Sequence, residues 1–108
     1  MAVTEDDLLT AVLDLCRLKH LHTAHFRPAR TAGGWRTAVS GDGKGFPDLV
    51  IVGPRGVMFR ELKTERGRVS TEQSEWQFRL RHAGADCGYW MPSDLRSGLI
   101  LEELKAVA

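Results

Sequence analysis

Cysteine is scarce in this chain. Only Cys16 and Cys87 occur among 108 residues, with no CxxC pair, so neither a disulfide framework nor a zinc knuckle is supported. No apolar run approaches the roughly 18 residues that a membrane span needs. Glu5, Asp6 and Asp7 stand where a signal peptide would carry positive charge and then an apolar stretch. These absences point to a protein kept in a reducing cytoplasm, with no membrane partner. The composition also lacks extremes: at 43% hydrophobic and 27% charged residues it excludes disorder, coiled coil and collagen. The length predicts a single domain over residues 1–108, burying something over ~60% of its unfolded surface.

The net charge of +1 hides an asymmetry. From Arg27 to Arg68 there are nine basic and four acidic residues, a segment of +5, which leaves −4 for the remainder. This distribution suits a surface that faces a polyanion. An arginine-rich loop in solvent would look the same.

Thr4, followed by Glu5, Asp6 and Asp7, marks a helix start, with a hydroxyl cap and acids at the positive end of the helix dipole. Leu8, Leu9, Val12, Leu13 and Cys16 then recur at helical spacing and define one apolar face. Glu5 falls at the end of that inward stripe. From Lys19 to Gly45 the pattern loosens, leaving room for one strand near His25 to Arg27 and a long glycine-bearing loop. Loops of this length are usually functional or mobile.

Asp48 to Val52 is a β-rich run closed by Gly53-Pro-Arg-Gly56, and Val57 to Lys63 follows directly, so the two read as a hairpin. Period-2 alternation places Val57, Phe59, Glu61 and Lys63 on one face, with Met58, Arg60 and Leu62 on the other. Ser70-x-x-Gln73 opens a second helix as a capping box. The helix runs through Trp76, Leu80 and Ala83 and stops at Gly84. Cys87 to Met91 reads as a strand ended by Pro92, and Leu99 to Val107 as a closing helix. The order predicts an α/β fold, a mixed sheet between helices.

The hairpin returns Glu61 towards Asp48, with Lys63 on the same face as Glu61. Two carboxylates and an ammonium at one sheet edge suit a hard divalent cation, which takes oxygen ligands. Lys63 can orient a water and stabilise negative charge on phosphorus. An E-x-K at a strand end is often only a salt-bridge ladder in solvent. The pairing with Asp48 and the preceding glycines favours the site.

Pro47-Asp48 with Glu61-Leu62-Lys63 resembles the PD-(D/E)XK nuclease superfamily. The longer stretches Gly43 to Val52, Ser70 to Trp76 and Leu80 to Gly84 resemble its VRR-NUC branch, the small virus-type replication and repair nucleases. The resemblance implies a restriction-endonuclease-like core, a central mixed β-sheet flanked by helices, and Mg²⁺-dependent hydrolysis of DNA, with Mn²⁺ as a substitute. It carries over Asp48, Glu61 and the backbone carbonyl of Leu62 as metal ligands, Lys63 as the residue that orients water, and Gln73 as a supporting catalytic residue. Glu5 matches an acid that can join the metal shell. Gln73 also fits as the helix-capping partner of Ser70, and Glu5 as a first-turn acid that merely favours the dipole.

The accessory residues carry less. Trp76 reads as core, and His20, His22 and His25 as exposed or packed rather than a metal cluster. Of these, His25 leads into the basic loop. Arg27, Arg30, Arg36, Lys44, Arg66 and Arg68 are the candidate DNA contacts. The chain has no asparagine, which excludes the usual HNH nuclease, and it has no nucleophile elbow. The competing reading is a nucleic-acid-binding module without catalysis, but two carboxylates in a basic surface repel phosphate unless a cation lies between them. Stand-alone relatives resemble Holliday junction resolvases, so branched DNA and a homodimer are expected. Trp35, Leu99, Ile100, Leu101 and Leu104 are the candidate contact surface.

Overall fold

The computed structural model describes residues 3–27, 29–36 and 39–108, with the backbone alone for 29–31, 35 and 36. Helix α1 (Glu5–Leu18) begins as its sequence requires. The Thr4 hydroxyl accepts from the Asp7 amide at 3.0 Å, and the Asp7 carboxylate accepts from the Thr4 amide at 3.1 Å. Its stripe Leu8, Leu9, Val12 and Cys16 is buried.

Strands β1 (His22–His25), β4 (Leu49–Gly53), β5 (Gly56–Leu62) and β6 (Asp86–Trp90) form one sheet in the order β1-β4-β5-β6. The first two pairings are antiparallel, and β5 with β6 is parallel. Helix α2 (Thr71–His82) supplies the crossover that a parallel pair demands. Helices α3 (Pro92–Arg96) and α4 (Leu99–Leu104) close the fold.

Leu49, Ile51, Met58, Leu62 and Trp90 meet α1 and α4 through Leu8, Val12, Cys16, Ile100 and Leu104 in one buried cluster. Met58, Arg60 and Leu62 are all buried, as the alternation along β5 predicts.

Four expectations need correction. The first strand ends at His25 instead of running from His25 to Arg27, because the ladder with β4 stops at His25 and Leu49. The long glycine loop contains a small hairpin of β2 (Ala29–Thr31) and β3 (Gly34–Arg36), whose turn puts Gly34 at φ +107°. Pro92 both ends β6 and starts the unforeseen α3, since proline is well tolerated in a helix's first turn. The closing helix stops at Leu104 instead of reaching Val107, and Lys105 to Val107 form a turn.

Arg60 shares the inward face of β5 although it is charged. Only 4% exposed, it donates to Asp86 and Glu103 at 2.9 Å each and packs over the Trp90 ring at 5.0 Å. Trp90 Nε1 donates to the same Glu103 oxygen at 2.8 Å. Burial of the cation is therefore matched by two carboxylates, and this residue cannot meet phosphate.

Candidate active site

The β4–β5 ladder ends at Leu49 and Arg60, one position short of Asp48 and Glu61. Beyond it the Leu62 amide donates to Asp48 Oδ1 at 3.1 Å, so the first carboxylate is fixed to the strand that carries the second. Pro47, just before Asp48, is fully buried. Phe46 stands at the centre of an aromatic group, 5.0 Å from Trp76, 5.9 Å from Phe59 and 6.1 Å from Phe26, all edge-on. Trp76 Nε1 donates to the Asp42 carbonyl at 3.0 Å. Trp76 is thus half-buried and clamps the glycine loop. A Cβ on Gly45, at φ +85°, would come within 2.7 Å of the Gln73 amide. The absence of a side chain lets the loop lie against the start of α2.

Gln73 caps α2 and also touches Glu61 and Lys63. Its backbone amide donates to Ser70 Oγ at 3.1 Å, and its Oε1 accepts from the Ser70 amide at 3.0 Å, completing the capping box. The same Oε1 accepts from Lys63 Nζ at 2.7 Å, while Nε2 donates to Glu61 Oε2 at 3.2 Å. Lys63 Nζ also donates to the Arg68 carbonyl at 2.7 Å. One glutamine therefore spaces the second carboxylate from the ammonium.

Glu61 is 7% exposed. Burial, reinforced by the charge of Asp48 and opposed by Lys63, pushes its carboxyl up to about 8. Burial likewise pushes Asp48 up to about 7, opposed by the Leu62 hydrogen bond and reinforced by the charge of Glu5. Glu5 is exposed at the start of α1, yet its charge acts on both carboxyls. It lies on the site's side of the molecule.

The Asp48 backbone amide also favours the charged form of both carboxyls. His25 Nε2 lies 3.9 Å from Asp48 Oδ2. Burial lowers the His25 pKa, Arg27 lowers it further, and Asp6 opposes both. A buried Glu61 and a half-buried Asp48, each costly to ionise alone, form a donor set that fits a hard divalent cation. No group of three or more His, Cys, Asp and Glu side chains gathers among the described residues, so His20 and His22, both exposed, add nothing to it.

Of the basic residues, Arg27, Arg66 and Arg68 are exposed, the last two in the turn after Lys63. Lys44 is exposed at the lip of a groove of about 550 Å³, beside Asp42, Glu72 and Glu75. The side chains of Arg30, Trp35 and Arg36 lie outside those described. Glu65 sits away from the carboxylate pair. It accepts from the Ser93 amide and hydroxyl and pairs with Arg96 at 3.4 Å, tying the turn to α3. Phe46 and the approach of His25 to Asp48 escape a reading of periodicity. Phe46 sits in a loop, and His25 meets Asp48 only through the β1–β4 pairing.

A solved structure described as a VRR_NUC domain protein superposes with a TM-score of 0.63 at 21% identity, covering 98% of this chain and 92% of the other. This likeness establishes the fold. No curated protein matches the sequence significantly. Among the described residues no helix is long and apolar enough to cross a membrane. The VRR-NUC domain model matches residues 12–90, which contain the carboxylate pair, the lysine and the glutamine. The chain belongs to the VRR-NUC family of the PD-(D/E)XK nuclease superfamily, and with it comes a nuclease-type function and binding to DNA.

Proposed function

We propose that the protein is a Mg²⁺-dependent DNA endonuclease, with Mn²⁺ able to substitute, that hydrolyses phosphodiester bonds in branched DNA. The observation that carries this reading is the bridge from Glu61 through Gln73 to Lys63, beside an Asp48 fixed by the Leu62 amide. Asp48, Glu61 and the Leu62 carbonyl would hold the cation, and Glu5, whose charge acts on both carboxyls, is the further acid that would join them. Bound there, a divalent cation supplies Lewis-acid polarisation of the phosphate and lowers the pKa of a water.

The protein's own part is positioning. An ammonium has three donors. Lys63 commits two, to Arg68 and Gln73, leaving the third for the attacking water or a non-bridging phosphate oxygen. Gln73 holds Glu61 and Lys63 apart, so the carboxylate stays available to the cation and the ammonium to the substrate. Arg27, Arg66 and Arg68, with Arg30, Arg36 and Lys44, would follow the phosphate backbone.

Action on a branched substrate as a homodimer accords with the apolar excess of α4. Ile100 and Leu104 are buried in the core, while Leu99 and Leu101 are each 42% exposed, a second face that another copy would cover. Cleavage of matched junction, flap and linear DNA in Mg²⁺, with Glu61→Ala as control and light scattering of the protein, tests the reading. Metal-dependent cutting, greatest on the branched forms, lost in the variant and performed by a dimer, is expected. Binding without cleavage by the natural chain would establish instead a catalytically silent nucleic-acid module.

A further inference from the structure

The turn after Lys63 is made of exposed residues, Glu65 to Val69, yet it carries an acceptor on which the site depends. Its Arg68 carbonyl takes one hydrogen bond from Lys63 Nζ, at 2.7 Å, and Gln73 takes another. A lysine side chain is long and flexible, so its ammonium is held only as firmly as the atoms it bonds to. Gln73 is fixed by the capping box of α2. The Arg68 carbonyl sits in a surface turn, and that turn must itself be held.

Glu65 holds it. Among the described residues it is the one side chain of positions 65–69 that bonds to another element. One carboxylate oxygen accepts from the Ser93 amide and meets Arg96 at 3.4 Å, and the other accepts from the Ser93 hydroxyl at 3.2 Å. A single exposed ion pair would contribute little. Here three donors from α3 converge on one carboxylate, and two of them belong to the same residue.

The anchor is rigid. Trp90 and Pro92 are fully buried, and the Trp90 carbonyl accepts from the Lys63 amide at 2.9 Å. The Lys63 backbone and the Glu65 carboxylate are thus laced to one stretch, residues 90–93. The Gly67 amide then donates to the Thr64 carbonyl at 3.0 Å, folding the turn back. A Cβ on Gly67 would come within 3.3 Å of Lys63 Cδ, so the turn lies against the lysine stem.

From these contacts we infer that Glu65 is a positioning residue for Lys63. It pins the turn to α3, and the pinned Arg68 carbonyl keeps the ammonium beside Gln73 and the carboxylate pair. This inference rests on the nuclease reading, in which Lys63 orients the attacking water or meets a phosphate oxygen. Without the brace the Arg68 carbonyl moves with its turn, and Lys63 keeps Gln73 alone. A misplacement of about 1 Å in the reacting geometry can lower a rate by ~100-fold. DNA affinity is less demanding, because an arginine on a moving turn still attracts phosphate and the loss of an acid favours a polyanion. The signature of the brace is therefore a loss of rate without a loss of binding.

Three measurements test it: single-turnover cleavage in Mg²⁺, DNA binding by fluorescence anisotropy in Ca²⁺, and the Lys63 ammonium signal in ¹H–¹⁵N NMR of the metal-free protein. Glu65→Ala should lower the cleavage rate by about 10-fold to 100-fold while DNA binds as tightly as before or more so. Glu65→Gln, whose amide oxygen still accepts from Ser93, should keep most of the rate, which separates the hydrogen bonds from the charge. Ser93→Ala should lose less than Glu65→Ala and add nothing to it in the double variant. The Lys63 signal, assigned by its disappearance in Lys63→Arg, should move to the position of solvent-exposed lysines in Glu65→Ala and stay in place in Glu65→Gln. A merely stabilising role would lower the thermal midpoint and leave that signal where it was. Natural-rate cleavage by Glu65→Ala, an unmoved Lys63 signal, or equal losses in the Ala and Gln variants overturns the brace while the natural chain still cuts DNA. A natural chain that cuts no DNA overturns the nuclease reading, whatever the Lys63 signal does.

Discussion

The two faces of the sheet are built to different standards. One is sealed: Leu49, Ile51, Met58, Leu62 and Trp90 lie against α1 and α4, and the one charge admitted there, Arg60, is matched by Asp86 and Glu103. The other face is thinly covered. Val52 and Val57 are 42% and 44% exposed, and the residue that α2 buries is a glutamine. Stability is concentrated on the first face, which frees the second to hold buried carboxylates at a cost in folding energy. Chemistry is housed where packing is least dense.

The comparison breaks most sharply under substitution of the acids. Glu61→Ala or Asp48→Ala should abolish cleavage while leaving the thermal midpoint of the metal-free protein unchanged or raised. A variant that still turns over in Mg²⁺ at the natural rate would remove these residues from the site.

Next in size is Trp90→Ala on the sealed face. It should cost about 3–5 kcal/mol in urea unfolding, because the ring is fully buried and its Nε1 is bonded to Glu103. A loss under about 1 kcal/mol would mean that the dense face is not where stability resides.

The carboxylates give a pH signature of intermediate size. Their folded-state pKa values, about 7 for Asp48 and about 8 for Glu61, lie above the ordinary 3.8 and 4.5. Between those limits the folded protein binds more protons than the unfolded chain, so the pair's contribution to stability falls as pH rises from about 4 to about 8. Urea melts in a chelator should therefore show a downward slope that Asp48→Asn and Glu61→Gln each reduce. Added Mg²⁺ should flatten it in the natural chain. An unaltered slope in both variants would place the titration elsewhere.

The smallest effect belongs to the thin face. Val57→Thr should stay within about 0.5 kcal/mol of the natural chain, as surface changes do. A loss several times larger would show that this face is covered in solution.

Local rules carried far along this chain because its decisive elements are local. The Thr4 and Ser70 capping boxes, the stop at Gly84, the alternation of β5 and the return of Glu61 towards Asp48 each depend on residues a few positions apart, or on one short hairpin. Within such spans, spacing and backbone geometry leave few alternatives. The small hairpin at 29–36 and the helix at Pro92 were lost to the same method, since both are too short for a period to emerge.

What the sequence alone determined was therefore the mixed α/β order, the hairpin and the trio of Asp48, Glu61 and Lys63. What the tertiary structure decided was which polar groups were withdrawn from water. Arg60 meets Asp86 and Glu103 across 26 and 43 positions. His25 approaches Asp48 only when β1 pairs with β4. Gln77 becomes a buried acceptor without a donor only once α2 is laid on β6. The hydrophobic period of a segment reports the face it turns inward, but the dielectric and the partners that a charge meets there are set by segments distant in the chain. The chemistry of the site was fixed by that second kind of information.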